Sequence, residues 1–211
     1  MPQPVPAPRI RPWKQQLATG LRPVQDGWNA EVARSTVIHS WESSIINGMF
    51  QTADYARHVL KQCAQLHGSP RDTEDAVQAR LKRQELLHKP GRKFRVIMWE
   101  AALLARICPP VVLAAQLDRL LGVMNLDSVE LGIVPLHAAL DISPGNDFYI
   151  LDDRVATVEE WHAEYWLEDA DSIDTYLKVW HTLRESAACG AEAQNVINRA
   201  RRQLGCSPSR Y

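Results

Sequence analysis

The apolar positions of this chain follow a helical rhythm up to about residue 93, and shorter, denser apolar runs after it. Ala56, Val59, Leu60 and Cys63 recur at i, i+3, i+4 and i+7, the stripe of an amphipathic helix. Thr52 precedes that stripe as an N-cap whose hydroxyl can accept an orphan N–H of the first turn. Gly68-Ser69-Pro70 ends the helix; Asp72 opens another through Ala76, Val77, Leu81 and Leu86, and Pro90-Gly91 stops it. Trp28, Val32, Val37 and Trp41 mark an earlier helix over residues 28–43, weakened by Ser35-Thr36-Val37-Ile38 and broken at Gly48. A short helix is expected around residues 12–21, behind an extended, proline-rich start at 1–8.

Beyond residue 94 the runs FRVIMWE (94–100) and SVELGIVPL (128–136) read as strands. Between them Pro109-Pro110 opens a helix carrying Leu113, Leu117, Leu120, Leu121 and Met124 on one face. NDFYILDD (146–153) and VATVEEW (155–161) form an expected antiparallel pair around a tight Asp153-Arg154 corner. Ser172 or Asp171 is the expected cap of a helix with Ile173, Tyr176, Leu177 and Trp180 on one side. Ala193, Val196, Ile197, Ala200 and Leu204 mark a last helix stopped by Gly205. The succession predicts an α+β fold with a helical N-terminal part, a small mixed β-sheet with a crossover helix, and C-terminal helices. It divides into a proline-rich, basic extension (1–27), an α+β domain (28–188) and a C-terminal helix and tail (189–211).

Composition narrows the class. With 211 residues, 45% hydrophobic and 23% charged, the chain can bury one substantial core. No apolar run approaches the roughly 20 residues of a membrane span. Proline and arginine occupy the place of a signal peptide's apolar core, so a cytoplasmic location is expected. Cys63, Cys108, Cys189 and Cys206 are scattered without a Cys-x-x-Cys pair, which fits buried thiols in a reducing compartment. A net charge of −1 gives no global footprint for nucleic acid. Residues 152–174 are rich in Asp and Glu, and Asp169, Asp171 and Asp174 are candidates for docking a basic partner.

No Gly-x-Gly-x-x-Gly, P-loop, Gly-x-Ser-x-Gly or His-x-x-x-His pattern is present, so catalysis has little motif support. On a strand, Glu160, His162 and Glu164 would share a face suited to a divalent metal, but no distant ligand pair accompanies them. No metal or cofactor is therefore expected. Tryptophan is abundant, and an aromatic wall beside a carboxylate is one way to build a ligand pocket. Trp99, Glu100, Phe148, Glu159 and Trp161 are the candidates for one, with His137 as acid or base if the pocket is catalytic.

An ordered set of short motifs carries a family resemblance. It comprises Ile46-Asn47-Gly48-Met49-Phe50-Gln51-Thr52-Ala53-Asp54-Tyr55-Ala56, Arg80-x-x-Arg83-Gln84, Glu100-Ala-x-Leu103, Gln116-Leu117-x-x-Leu120, Val134-Pro135, Phe148-x-x-Leu151 and Glu159. Over residues 28–188 the chain resembles the C-terminal effector domain of actinobacterial XRE-type helix-turn-helix regulators, abundant in streptomycetes and antitoxin-like. Departures are Asn47 for the usual proline, Met49 and Phe50 for leucines, and Thr157 for a tyrosine. Only 27 residues precede Trp28, too few for the helix-turn-helix, so direct DNA binding is not expected. The resemblance implies a stand-alone regulatory domain that binds a small companion protein or a small-molecule ligand and forms a homodimer. The alternative is an enzyme or ligand carrier recruited into specialised metabolism. Asn47-Gly48 is expected to turn through positive φ, Met49 and Phe50 to tuck beside the Ala56–Leu60 stripe, and Gln51 to bond the turn or line a pocket.

Overall fold

A computed structural model describes residues 7–205. Its strands are β1 (Arg9–Pro12), β2 (Val37–Glu42), β3 (Lys93–Trp99), β4 (Val129–Val134), β5 (Phe148–Leu151), β6 (Val155–Glu159), β7 (Ala163–Leu167) and β8 (Ala188–Cys189). Its helices are α1 (Trp13–Gln16), α2 (Arg22–Arg34), α3 (Ala53–His67), α4 (Thr73–Arg83), α5 (Glu100–Leu104), α6 (Pro110–Val123), α7 (Ala170–Glu185) and α8 (Gly190–Gly205). All the strands join one mixed sheet in the order β1-β7-β6-β5-β2-β3-β4-β8. β2, β3 and β4 run parallel, with α5 and α6 in the β3–β4 crossover; the other pairings are antiparallel. The protein thus has the α+β architecture its apolar pattern predicts. None of the helices among the described residues is long and apolar enough to cross a membrane.

Strand alternation gives the sheet two unlike faces. Ile38, Phe94, Val96, Met98, Ile133 and Leu151 face the side carrying α2, α3, α6 and α8. Trp41, Ile97, Val134, Phe148 and Ile150 face α7, where Ile173, Trp180 and Leu183 cover them. A satellite cluster of Leu17, Leu21, Ala56, Leu60, Ala76 and Val77 joins the N-terminal helices to one another.

The structure corrects several sequence expectations. The helix expected over 28–43 starts earlier and ends at Arg34, and its second half is strand β2. The β-branched run Thr36-Val37-Ile38 explains the switch, and Trp41 is fully buried on the α7 face. Residues 163–167, inside the acidic stretch, form strand β7, and residues 9–12 of the N-terminal segment pair with it as β1. Asp169, rather than Ser172 or Asp171, caps α7 by accepting the Ser172 N–H at 2.8 Å. The β5–β6 corner turns at Asp152, with φ 53, whose carboxylate accepts the Thr36 and Val37 N–H groups at 2.9 Å each.

Other expectations need a different physical account. Thr52 caps α3 as its position implies, accepting from the Tyr55 N–H. Asp72 makes no side-chain bond to its own helix; it caps α2 instead, accepting from Leu21 N at 2.9 Å and Arg22 N at 2.8 Å. Asn47 adopts φ −47, close to the range a proline ring enforces, and neither it nor Gly48 takes positive φ. Met49 and Phe50 are buried in the main core with Tyr55, where Val59 of the α3 stripe also packs, while Ala56 and Leu60 belong to the satellite cluster. The start at residues 1–6 and the tail from 206 lie outside the described residues.

Candidate functional site

The segment between β2 and α3 is held by side-chain amides. Asn47, almost wholly buried, donates to Glu42 Oε1 at 2.6 Å and Ser40 Oγ at 3.0 Å, and its own oxygen accepts the Met49 N–H at 2.8 Å. Gln51 donates to the Ile46 carbonyl at 2.6 Å. Gln116 of α6 donates to the Phe50 carbonyl at 2.9 Å and accepts the Thr52 N–H at 2.6 Å. Gln84 donates to the carbonyls of Gln51 and Gly48, at 2.7 and 3.2 Å. A segment with this many buried polar partners is rigid, and it fixes which way the Gln51 oxygen points.

That oxygen accepts from the Arg80 guanidinium at 2.6 Å. Gln25 of α2 accepts from both Arg80 Nε, at 3.0 Å, and Arg83 Nη2, at 3.4 Å; Asn29 accepts from Arg83 Nη1 at 3.3 Å. Arg80 and Arg83 are one turn apart on α4, and Arg83 is only 8% exposed. Among the described residues, neither guanidinium has a carboxylate within 4.0 Å. Two cations are therefore held under the helices by neutral amides alone.

They border a cavity of about 630 Å³ between the sheet and the N-terminal helices. Trp28 and Tyr149 form part of its wall, with ring centroids 5.1 Å apart. Val24, Val59 and Leu60 add apolar surface, and the largely exposed Trp161 and Leu66 stand at the rim. Burial, then the neighbouring Arg80 charge, pulls Arg83 down to about 9, and burial lowers Arg80 as well. The carboxylates move the other way. Burial, then the charges of Glu164 and Asp147, raises Glu159 to about 7, against the opposing pull of Arg80 and Arg83. Glu159 remains accessible through the cavity although protein surrounds it, and its surroundings set its proton affinity. Glu42 is pushed well above the usual carboxylate range by burial and by Asp147; hydrogen bonds from Tyr149 and Asn47 only partly offset this.

The predicted site residues divide. Gln51, Glu159 and Trp161 border this cavity together. Phe148 is directly opposite Val158 in the ladder, so it faces α7 while Glu159 faces the helices, and its ring packs 5.0 Å from Tyr176. Trp99 also packs on the α7 side. Glu100 opens α5, where it accepts the Leu136 N–H at 2.9 Å and pairs with Arg199 at 2.8 Å. The expected convergence of Glu100 and Glu159 on one cavity does not occur. His137 is exposed in the loop after β4, away from the cavity lining. Asp171 and Asp174 are exposed on the first turns of α7, whereas Asp169 is engaged as its cap. Glu160, His162 and Glu164 do not share a strand face: the first two lie in the β6–β7 turn, and Glu164 is buried against Trp166 Nε1 at 2.6 Å.

In the sequence Arg80 and Arg83 stand out only as part of a family motif, and no local pattern marks Gln25, Glu42 or Tyr149. One signal was available. Ala76, Arg80 and Arg83 fall at i, i+4 and i+7, so the buried stripe of α4 runs straight into two arginines.

A family model, "Domain of unknown function (DUF5753)", matches residues 28–199. The chain belongs to the DUF5753 family. No curated protein matches it. Among solved structures, this DUF5753 chain is similar to Nuc, a phospholipase D family member from Salmonella typhimurium, at TM-score 0.48 and 8% identity, covering 87% of this chain and 97% of that one. It is also similar to NucT from Helicobacter pylori, at TM-score 0.47 and 10% identity over 87% and 99% of the two chains. The archaeal chromatin protein TrmBL2 matches at TM-score 0.42 and 11% identity, over 90% of this chain and 57% of that one. At these scores the likenesses bear on neither the chemistry nor the partners of this chain.

Proposed function

We propose that this DUF5753 chain is a regulatory domain that binds a small molecule in the cavity between its sheet and its N-terminal helices. The single observation behind this is the cavity of about 630 Å³, inside the roughly 300–1,000 Å³ range of small-molecule sites. Its lining comes from α2, α3, α4, the β2–α3 segment and the β6–β7 turn. An occupant touching all of these would stiffen the helices against the sheet, and that differential contact is what an effector domain transmits. The antitoxin-like, transcription-regulating reading adds the family resemblance of the Ile46–Ala56 and Arg80–Gln84 motifs. A companion protein would then sense occupancy at the rim, where Trp161 is 82% exposed.

The test is uptake of a neutral fluorescent probe, N-phenyl-1-naphthylamine, by the purified chain and by Val59→Trp, which fills the cavity from α3. Saturable uptake that falls at least about tenfold in Val59→Trp, with an unchanged far-ultraviolet spectrum, is the expected result. Uptake that is absent from the unmodified chain, or indifferent to the tryptophan, overturns the reading.

A further inference from the structure

We infer that the ligand of this cavity is an aromatic mono-anion, its carboxylate, sulfonate or phosphodiester seated on Arg80 and Arg83 and its ring against Trp28 and Tyr149. This inference rests on the cavity being a ligand site, and it adds the chemical class.

The arginines carry the argument. A cation taken out of water is costly unless it is paired, and native proteins pair such groups with carboxylates. Here the partners are three neutral amides, from Gln25, Asn29 and Gln51, and two of the four contacts are 3.3 Å or longer. Those amides orient the guanidiniums without discharging them. A guanidinium has more donors than these contacts use, and none of the remaining ones is among the sealed, unpartnered polar atoms of the described residues. Arg80 Nη2 and Arg83 Nε are the two guanidinium nitrogens without a hydrogen bond among the described residues; neither is sealed, and both residues border the cavity. Two guanidinium forks one helical turn apart present the planar donor pattern that suits an oxyanion, with bidentate, charge-assisted bonds.

The same lining limits the charge the site accepts. Asp147, and Glu159 once it is ionised, border the cavity too, so a polyanion would meet negative charge where it extends beyond the arginines. A single oxyanion fits between these constraints. The proton affinities agree: Glu42, and at mildly acid pH Glu159, are driven toward the neutral acid, which leaves the guanidiniums uncompensated and offers an O–H to a second ligand oxygen. The body of the ligand is set by the Trp28–Tyr149 pair, tilted at 55° to each other, and by the aliphatic surface of Val24, Val59 and Leu60. A planar ring packs on such a surface with little loss of rotamer freedom.

The experiment compares two dyes with the same aromatic body: 8-anilinonaphthalene-1-sulfonate, which carries one oxyanion, and N-phenyl-1-naphthylamine, which is neutral. Fluorescence titration at pH 7 and moderate salt is expected to give the sulfonate at least about tenfold tighter binding, as two charge-assisted contacts imply. Arg83→Gln, and independently Arg80→Gln, should bring that ratio close to one by weakening the sulfonate, with folding checked by circular dichroism. Equal affinity for both dyes, or a sulfonate preference that survives both substitutions, overturns the anion assignment while leaving the cavity a ligand site. Failure of both dyes to bind removes the ligand-binding reading and this inference with it.

Discussion

Two places in this protein remove charged side chains from water, and they do so in opposite ways. At the start of α5, Glu100 is 4% exposed, yet its two oxygens are taken by Arg199 and by the Leu136 N–H. Under the N-terminal helices, Arg83 is 8% exposed and Arg80 half-buried, and among the described residues both are met only by amide oxygens. The first arrangement is complete: it ties α5, the loop after β4 and α8 together, and none of its three residues lines the cavity under the N-terminal helices. The second is oriented but uncompensated, and it opens on a cavity of about 630 Å³. A buried charge satisfied by its own protein is a structural tie. One oriented by neutral groups at a cavity wall is a binding element.

The comparison is most forcefully broken at the tie. Glu100→Ala should lower unfolding free energy by about 2–3 kcal/mol, somewhat below the cost of breaking a fully buried pair because Arg199 stays 42% exposed. Urea denaturation measures this, and a loss under about 1 kcal/mol would mean the pair contributes little. Removing one of the uncompensated cations should act in the other direction. Arg83→Met takes away a desolvated charge whose only partners among the described residues are two long amide contacts, so the empty protein should hold its stability or gain about 1 kcal/mol. A loss comparable to that of Glu100→Ala would show that the amides alone satisfy Arg83, and the contrast between the two places would collapse.

The tie and the binding element differ in how far they were legible from sequence. The α+β order was legible because α3, α6 and α8 carry full apolar stripes and β3 and β4 are short apolar runs between clear breakers. Where two rhythms abut, the reading slipped: Trp28, Val32, Val37 and Trp41 fit one helical face, but they are divided between α2 and β2. Trp41 is buried by α7, a contact that no local pattern encodes. Gln51 is visible at the junction of two patterns, Glu159 near a strand end and Trp161 beside the acidic stretch. Trp99, Glu100 and Phe148 were grouped with them because linear order says nothing of sheet faces, and a shift of one residue along a strand sends the side chain to the other side. Arg80 and Arg83 were visible as a motif but not as a site, since their role depends on Gln25 and Gln51, which are distant in sequence.

The smallest expected effect concerns protons, and it sharpens the contrast from the carboxylate side. Glu159 has its folded-state affinity raised from the ordinary 4.5 to about 7. Below pH 4.5 folded and unfolded chains both hold that proton; between 4.5 and 7 the folded chain holds it more firmly, so this stabilising contribution is lost as pH rises through the window. Glu42 and Glu164 are raised too and act with the same sign, whereas His39, lowered to about 4 chiefly by burial, contributes stability that grows as pH rises from about 4 to 6.5. The total slope therefore mixes opposing groups, and the difference between the unmodified chain and Glu159→Gln isolates one of them. Thermal melts at pH 5 and pH 8 should show the unmodified chain losing more midpoint, or gaining less, than Glu159→Gln over that interval. The same proton should govern the site: ionised Glu159 faces the cavity that Arg80 and Arg83 border, so the unmodified chain should bind the sulfonate dye more weakly at pH 8 than at pH 6, and Glu159→Gln should bind it with little change. If the melts differ as expected but dye binding keeps the same pH dependence in both proteins, Glu159 titrates in the fold without facing the ligand, and the anion is held by the arginines alone.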